Sequence, residues 1–454
     1  MTTFRRQVAT ALRSAGWRAG ALGALAVISM TACSLDVTDP DIVQPGQVNS
    51  DEALPTLVAG AFGDFAFSFA GDDGGTEGII LAGGLRADEW VNSDTFDTRQ
   101  EIDRGAIFED NGSNQDIFRN LQQARVSAEF AAEQFDARDP GGDGHSAVLS
   151  LAGFAYILTG ETYCPGVAFS RVSPDGTIQF GQPNDLDAVF QFAADRFTSA
   201  LDVATSDDEA NLARVGLGRA LLDQGHFDEA AAAVASVPTN FVFNVEYSDN
   251  TSRESNGVFV FNQISRRWSA SDLEGGNGLP FRSDADPRVV IDPLLDGDGD
   301  QRVGVDAVTP MWVQRKYQDR NAAIPLATGV EARLIEAEAQ LQALDNSGFL
   351  ETLNDLRSNP DVSPGGLSDL SDPGSPEGRV DLLFKERAYW MYLTAHRLGD
   401  MRRLVRQYGR AITDVFPTGD YPKGGAPYGN EVNLPIPIDE RNNPNSQGCT
   451  SRAI

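Results

Sequence analysis

Apolar residues recur at helical spacing over most of the chain. From Asp51, the positions Leu54, Leu57, Val58, Ala61, Phe62 and Phe65 fall on one helical face. The glycine-rich stretch from Gly71 to Gly84 reads as a loop. Helical spacing returns in three blocks: Ile117, Leu121, Ala124, Ala128, Ala131 and Phe135; Val148, Leu151, Ala152, Ala155, Tyr156 and Leu158; and Leu186, Val189, Phe190, Ala193, Phe197, Ala200 and Leu201. A fourth block, Ala210 to Val237, reads as two helices with a turn at Gly225. From Thr239 to Pro325 the pattern changes. Phe241-Val-Phe-Asn-Val and Val258-Phe-Val-Phe predict short strands, amid turn-rich sequence that carries Trp268 and Trp312. Helices resume at Val330–Leu344, Gly348–Arg357 and Glu377–Tyr408, before a Gly/Pro-rich tail from Phe416.

Within the fourth block, Leu217-Gly218, Gly225, Phe227 and Ala230 match the small-residue contacts of a tetratricopeptide helix–turn–helix unit. Gly218 and Ala230 allow two antiparallel helices to approach. The predicted fold is therefore mostly α: a helical-repeat scaffold at about 51–238 and 326–410, a loop-rich insert with a few short strands at about 239–325, and a tail at 411–454. An unrelated αα-hairpin is the alternative reading of that block.

The N-terminus adds an address. Arg5, Arg6, Arg13 and Arg18 precede an apolar run from Ala21 to Ile28, then Ser29-Met-Thr-Ala-Cys33. A basic region, a short apolar region and small residues before the cut describe a secretory signal over residues 1–32. Cys33 after Thr-Ala resembles a bacterial lipobox. That resemblance implies cleavage before Cys33, its acylation, and a tether over residues 33–50. Two or more acyl chains would anchor the chain stably. An ordinary secretion signal that happens to contain a cysteine is the alternative.

Removing the signal removes four arginines and no acidic residue, which takes the formal charge from −30 to −34. So acidic a chain is repelled by nucleic acid, and nucleic-acid binding is excluded from the reading. With 41% hydrophobic residues it is not a disordered acidic chain. Besides Cys33 there are Cys164 and Cys449, which outside the cytoplasm either pair or remain free thiols. His145, His226 and His396 show no zinc-ligand spacing with them.

The C-terminal half carries a resemblance. Ala323-Ile-Pro-Leu, Glu331 to Ala339, Leu353-Asn-Asp-Leu-Arg357, Glu386-Arg387, then Arg397, Asp400 and Arg403 lead to Leu434-Pro-Ile-Pro-Ile438, Glu440 and Asn443-Pro444. Ser283-Asp-Ala-Asp286-Pro-Arg288 lies upstream. Their order and spacing resemble the SusD/RagB family of outer-membrane lipoproteins. The likeness implies a cell-outer-membrane location, a TonB-dependent receptor as partner, and capture of a glycan, peptide or similar nutrient. Trp390, Thr394, Ala395 and Leu398 depart from the family pattern, in which acidic residues, glycine and tryptophan respectively are common.

Candidate chemistry is sparse. No nucleophile elbow, metalloprotease histidine motif or phosphate loop is present, so catalysis has no support in the sequence. Asp296, Asp298 and Asp300 alternate with glycines, an arrangement that suits calcium. Yet Gln301 and Ala307 break the EF-hand pattern, and a solvated acidic turn is the alternative. No other cofactor is implied. Trp90, Trp268, Tyr421 and Tyr428 are the candidate ligand-binding residues, since sugar C–H faces pack on aromatic rings. Core packing is the alternative for each, and Trp390, on a helix with Leu393, is read as core. Glu386, Arg387, Arg397, Asp400 and Arg403 read as a partly buried ion-pair network rather than a charged binding site, as do Glu336 and Glu338. Two further function classes remain beside nutrient capture: an envelope scaffold without ligand, and a lipid-anchored hydrolase.

Overall fold

Glycine sets how closely the helices pack. Helix α7 (Asp207–Asp223) and α8 (Phe227–Val234) form the expected hairpin, and Gly225 takes φ +79° at the turn. A Cβ on Gly218 would stand 2.4 Å from Val234 Cγ1, so a larger residue there would push the hairpin apart.

The computed structural model describes residues 50–173 and 177–452. The expected signal segment, Cys33 and all of the tether except Ser50 lie outside the described residues. Along the chain, α1 (Leu54–Ala70), α2 (Ile79–Arg86) and β1 (Trp90–Asn92) lead through α3 (Asp97–Arg104) to α4 (Gly112–Arg138) and α5 (His145–Thr162). A small hairpin, β2 (Arg171–Val172) and β3 (Ile178–Gln179), precedes α6 (Leu186–Val203), α7 and α8. The insert holds β4 (Val242–Val245), α9 (Gly257–Phe259), β5 (Trp268–Ala270), β6 (Ile291–Pro293) and β7 (Trp312–Gln314). Then follow β8 (Ile324–Thr328), α10 (Gly329–Gln342), α11 (Asn346–Ser358), α12 (Pro376–Trp390), α13 (Arg397–Arg406) and α14 (Ile412–Val415).

Successive helices pack in series, α4 on α5, α5 on α6, α6 on α7 and α7 on α8, and α10 closes on α8, α11 and α12. Short polar residues start them. Asn111, Asp185, Ser206, Thr328, Asp345 and Ser375 each accept a backbone N–H of the first turn. All sheets are antiparallel pairs: β1 with β5, β2 with β3, β4 with β8 and β6 with β7. One hydrophobic core runs through helices, insert and tail. The stretch Asp51–Ala70 is apolar and long enough to cross a membrane, but Ala61, Phe65 and Phe69 are buried in this core.

Three elements differ from the sequence reading. Gly71–Gly84 is a loop only as far as Gly78. Ile79–Arg86 is a helix buried on every side, and its glycines let Trp90 lie against it. Val258-Phe-Val-Phe is not a strand: Asn256 caps a helical turn that continues as a π turn over Val260–Ile264. A short, wholly apolar run has no periodicity to tell strand from helix.

The expected helix Glu377–Tyr408 is broken at residues 391–396, where Leu393 (φ +55°) and Ala395 (φ +62°) are left-handed. Tertiary partners satisfy the backbone there. Leu393 N–H donates to Glu89 (2.8 Å), Tyr317 hydroxyl to Leu393 carbonyl (3.1 Å), and Lys316 ammonium to Tyr392 carbonyl (2.7 Å).

Burial, assisted by Asp88 and opposed by that Leu393 bond, pushes the Glu89 carboxyl up to about 8. Folded protein therefore holds a proton that the unfolded chain releases at the ordinary glutamate value. This contribution to stability is complete below about pH 4 and is lost as pH rises toward 8, with a slope of up to about 1.4 kcal/mol per pH unit. Melting temperatures between pH 5 and 8 should fall less steeply for Glu89→Gln, which keeps an acceptor for Leu393. Equal slopes in wild type and variant would show that Glu89 does not titrate in this window.

Candidate functional site

The two tryptophans singled out in the sequence meet. Strands β1 and β5 pair so that Trp90 faces Ala270 and Asn92 faces Trp268, and Ser93 N–H continues the ladder to Arg267 carbonyl (2.9 Å). Both rings, however, are buried, each 0% exposed. Trp90 lies against Gly84, and Trp268 packs edge-on to Phe261 at 5.9 Å. Asn262 fixes the arrangement: its amide donates to the carbonyls of Trp268 (2.7 Å) and Trp312 (2.9 Å) and accepts Gln314 N–H (3.1 Å). The reading of Trp90 and Trp268 as presented ligand contacts is thus corrected. Their apolar area is used to hold the sheet in the core.

Tyr421 and Tyr428 are corrected in the same way, at 2% and 8% exposed. Their rings stack edge-on at 5.2 Å. Tyr421 hydroxyl donates to Asp103 (2.6 Å) and Tyr428 hydroxyl to Glu274 (3.1 Å). Burial holds both carboxyls above the usual range, aided at Glu274 by the charge of Asp103 and opposed at Asp103 by hydrogen bonds from Tyr421 and Glu274. Gly/Pro composition suggested an open tail; the tyrosines instead latch it down. Tyr163 bridges Leu434, and Cys164 and Cys449 form a disulfide.

What faces solvent is the set of loops next to the β1–β5 pair. Phe96 is 51% exposed, with the guanidiniums of Arg99 and Arg267 at 4.6 and 5.3 Å from its ring centre. Asp94 holds both arginines, with Arg267 at 2.6 Å. Burial opposes its ionisation, but hydrogen bonds from Arg267, Thr95 N–H and Arg99 outweigh it and keep the carboxyl below the usual range. The loop Val303–Thr309 is tied alongside: Asp306 N–H donates to Ser93 carbonyl (3.1 Å) and Arg266 to Val303 carbonyl (3.1 Å). From the tail, Lys423 pairs with Asp306 at 2.5 Å. Exposed Ile264, Val305 and Val308 (69%) lie on these loops. Rigidly held apolar surface edged by the partly exposed Arg267 can stack on the C–H face of a sugar and donate hydrogen bonds to its hydroxyls. Sequence reasoning reached the neighbouring Trp90 and Trp268 but missed Phe96. A lone phenylalanine in a polar loop gives no periodic signal.

The remaining candidates are placed as follows. Asp296 Oδ1 accepts the N–H groups of Asp298 and Asp300 (both 3.0 Å), so this carboxylate closes its own turn. Among the described residues no three His, Cys, Asp or Glu side chains are grouped to hold a metal, and Asp296, Asp298 and Asp300 stand on a hydrogen-bonded acidic turn.

Asp400 accepts Arg387 Nε (2.9 Å) and Arg403 Nη2 (2.8 Å); Arg403 also pairs with Glu338 (2.6 Å), and Arg397 with Asp88 (2.6 Å). All are buried. Glu386 stands apart from Asp400, held by Arg288 (2.6 Å) and Arg357 (2.7 Å), and Glu336 pairs with Arg333 at a partly exposed position.

No protein-family model matches the chain, and no curated protein matches it. Solved structures do. A SusD-like protein from Bacteroides fragilis superposes with TM-score 0.66 at 13% identity, over 90% of this chain and 99% of its own. A laminarin-binding SusD-like protein gives 0.63 at 18%, over 89% and 99%. A SusD-like carbohydrate-binding protein from Bacteroides vulgatus gives 0.59 at 15%, over 82% and 86%.

Proposed function

We propose, from the premise that this chain has the SusD-like fold, that it is a lipid-anchored protein of the bacterial outer membrane that captures a glycan and passes it to a TonB-dependent receptor. The observation that carries the reading is the fold itself, shared over about nine-tenths of the chain with proteins two of which are named for binding carbohydrate. The exposed Phe96 surface supports it, because it offers a fixed aromatic ring beside the partly exposed Arg267 guanidinium. The lipobox-like Ser29-Met-Thr-Ala-Cys33 supports the anchor. The role is binding rather than catalysis: the closely paired carboxyls Asp103 and Glu274 are buried under Tyr421 and Tyr428, out of reach of a substrate.

The test is a glycan array that includes laminarin oligosaccharides, with wild type and Phe96→Ala, alongside affinity capture of the receptor from membranes of the source organism. Loss of the aromatic platform should weaken the bound glycan by about tenfold or more. Receptor capture and melting temperature should not change. If no glycan binds and no receptor is captured, the ligand-free envelope scaffold replaces this reading. If a glycan is bound and cleaved, the hydrolase does.

A further inference from the structure

A cavity of about 550 Å³ lies on other loops and shares no residue with the Phe96 surface. Its walls come from four places: Pro287–Val290 and Arg315, Lys316 and Gln318 of the insert, Asp361–Pro364 after α11, and Tyr389, Trp390 and Tyr392 at and just past the end of α12. The volume is within the range of small-molecule sites. Tyr392, in the break after Trp390, lines it. Had the helix continued, residues 391–396 would run on along α12 instead of turning back to Glu89 and Tyr317.

The aromatic wall is held firmly. Arg288 stands 5.0 Å from the Trp390 ring centre, and is itself pinned by Asp286 (2.7 Å) and Glu386 (2.6 Å). Those pairings use up the charge of Arg288. Two other cations are differently placed. Arg315 meets only the half-exposed Asp292 at 2.8 Å. Lys316 donates to the neutral Tyr392 carbonyl and forms no ion pair among the described residues. Asp361, Gln318 and Ser363 add hydrogen-bonding groups, and Trp390 carries a buried indole N–H with no hydrogen-bond partner among the described residues.

We propose that this cavity is a saccharide subsite selective for sugars that carry a carboxylate, the uronate class. Trp390, partly exposed, takes the apolar face of the ring, Arg315 and Lys316 take the carboxylate, and Asp361 and Gln318 take hydroxyls. Charge makes the argument for an acidic ligand. In a chain of net charge −30, a neutral sugar gives no reason to gather cations at an aromatic wall. Screening limits the repulsion of distant carboxylates to about 8 Å at physiological salt, so the nearby cations decide. Only the choice of a saccharide rests on the function proposed above; the site and its charge preference do not.

The experiment is titration calorimetry with α-1,4-linked digalacturonate and with its dimethyl ester as the neutral probe, on the full mature chain. The acid should bind wild type and Phe96→Ala equally, and the ester about tenfold more weakly or not at all. Trp390→Ala and Arg315→Gln should each lose about tenfold for the acid. Arg315 is partly exposed, so Arg315→Gln keeps the test decisive even if Trp390→Ala unfolds. The proposal is overturned if the acid does not bind wild type, if ester and acid bind alike, or if folded Arg315→Gln retains full affinity. Loss of the acid in Phe96→Ala alone would place it at the other surface and overturn this site while leaving glycan capture intact.

Discussion

Asp400→Ala is expected to cost about 3–5 kcal/mol of stability, read as a lowered urea midpoint with unchanged slope. Asp400 is buried and accepts hydrogen bonds from both Arg387 and Arg403. Burial opposes its charge, but the two guanidiniums outweigh that and hold its carboxyl far below the ordinary range. Without Asp400, Arg403 keeps Glu338, whereas Arg387 is left buried with its nearest carboxylate oxygen, on Glu338, at 4.0 Å. A buried guanidinium cannot shed its proton cheaply, so the desolvation cost remains uncompensated. Asp249→Ala, at an exposed loop position, is the matched control and should change stability by less than about 0.5 kcal/mol. A loss below about 1 kcal/mol for Asp400→Ala would mean that water reaches this cluster and that it does not lock α12 to α13. Because the Asp400 carboxyl is depressed in the folded state, its contribution is present above the ordinary aspartate value and is lost on acidification.

Removing the disulfide should have the other large effect. Cys164 and Cys449 are 285 positions apart, with Cα atoms 5.6 Å from one another. The unfolded chain gains much freedom when so long a loop is opened, and about 5–6 kcal/mol is expected by chain entropy for Cys164→Ser/Cys449→Ser. The folded state should change little. Tail residues remain held by the Tyr163–Leu434 bridge and by Asn114, whose amide donates to Pro435 carbonyl at 2.8 Å. Chemical denaturation with and without reductant measures the difference. Equal midpoints for wild type and double variant under oxidising conditions would show that the bond does not constrain the unfolded ensemble.

Regular helices were legible in the sequence because burial on one face leaves a 3.6-residue trace, as at Leu186–Leu201 and in the Gly218–Ala230 hairpin. Elements whose shape depends on distant partners were not. The 391–396 break needs Glu89, Lys316 and Tyr317 to receive its backbone, and no local residue announces them. That break also accounts for Trp390. Spacing to Leu393 placed it on a continuous helical core face, yet Leu393 lies beyond the helix end, and Trp390 borders a cavity. The buried charges, Glu338 among them, were legible as architecture, though not the pairing with Asp88 and Arg288, which come from distant segments. For the binding surface, large aromatics were a misleading guide. Trp90 and Trp268 are large enough to be worth burying, and the smaller Phe96 nearby is the ring left outside.

The link between Cys164 and Cys449 also makes most of the molecule a covalent ring. The exposed run Pro364-Gly365-Gly366 lies inside that ring, and Pro364 borders the Trp390 cavity. A peptidase that nicks the chain there severs the backbone but releases no fragment, because α12, α13 and the tail stay joined to the end of α5 through sulfur. Damage of that kind would remain invisible until the disulfide was reduced.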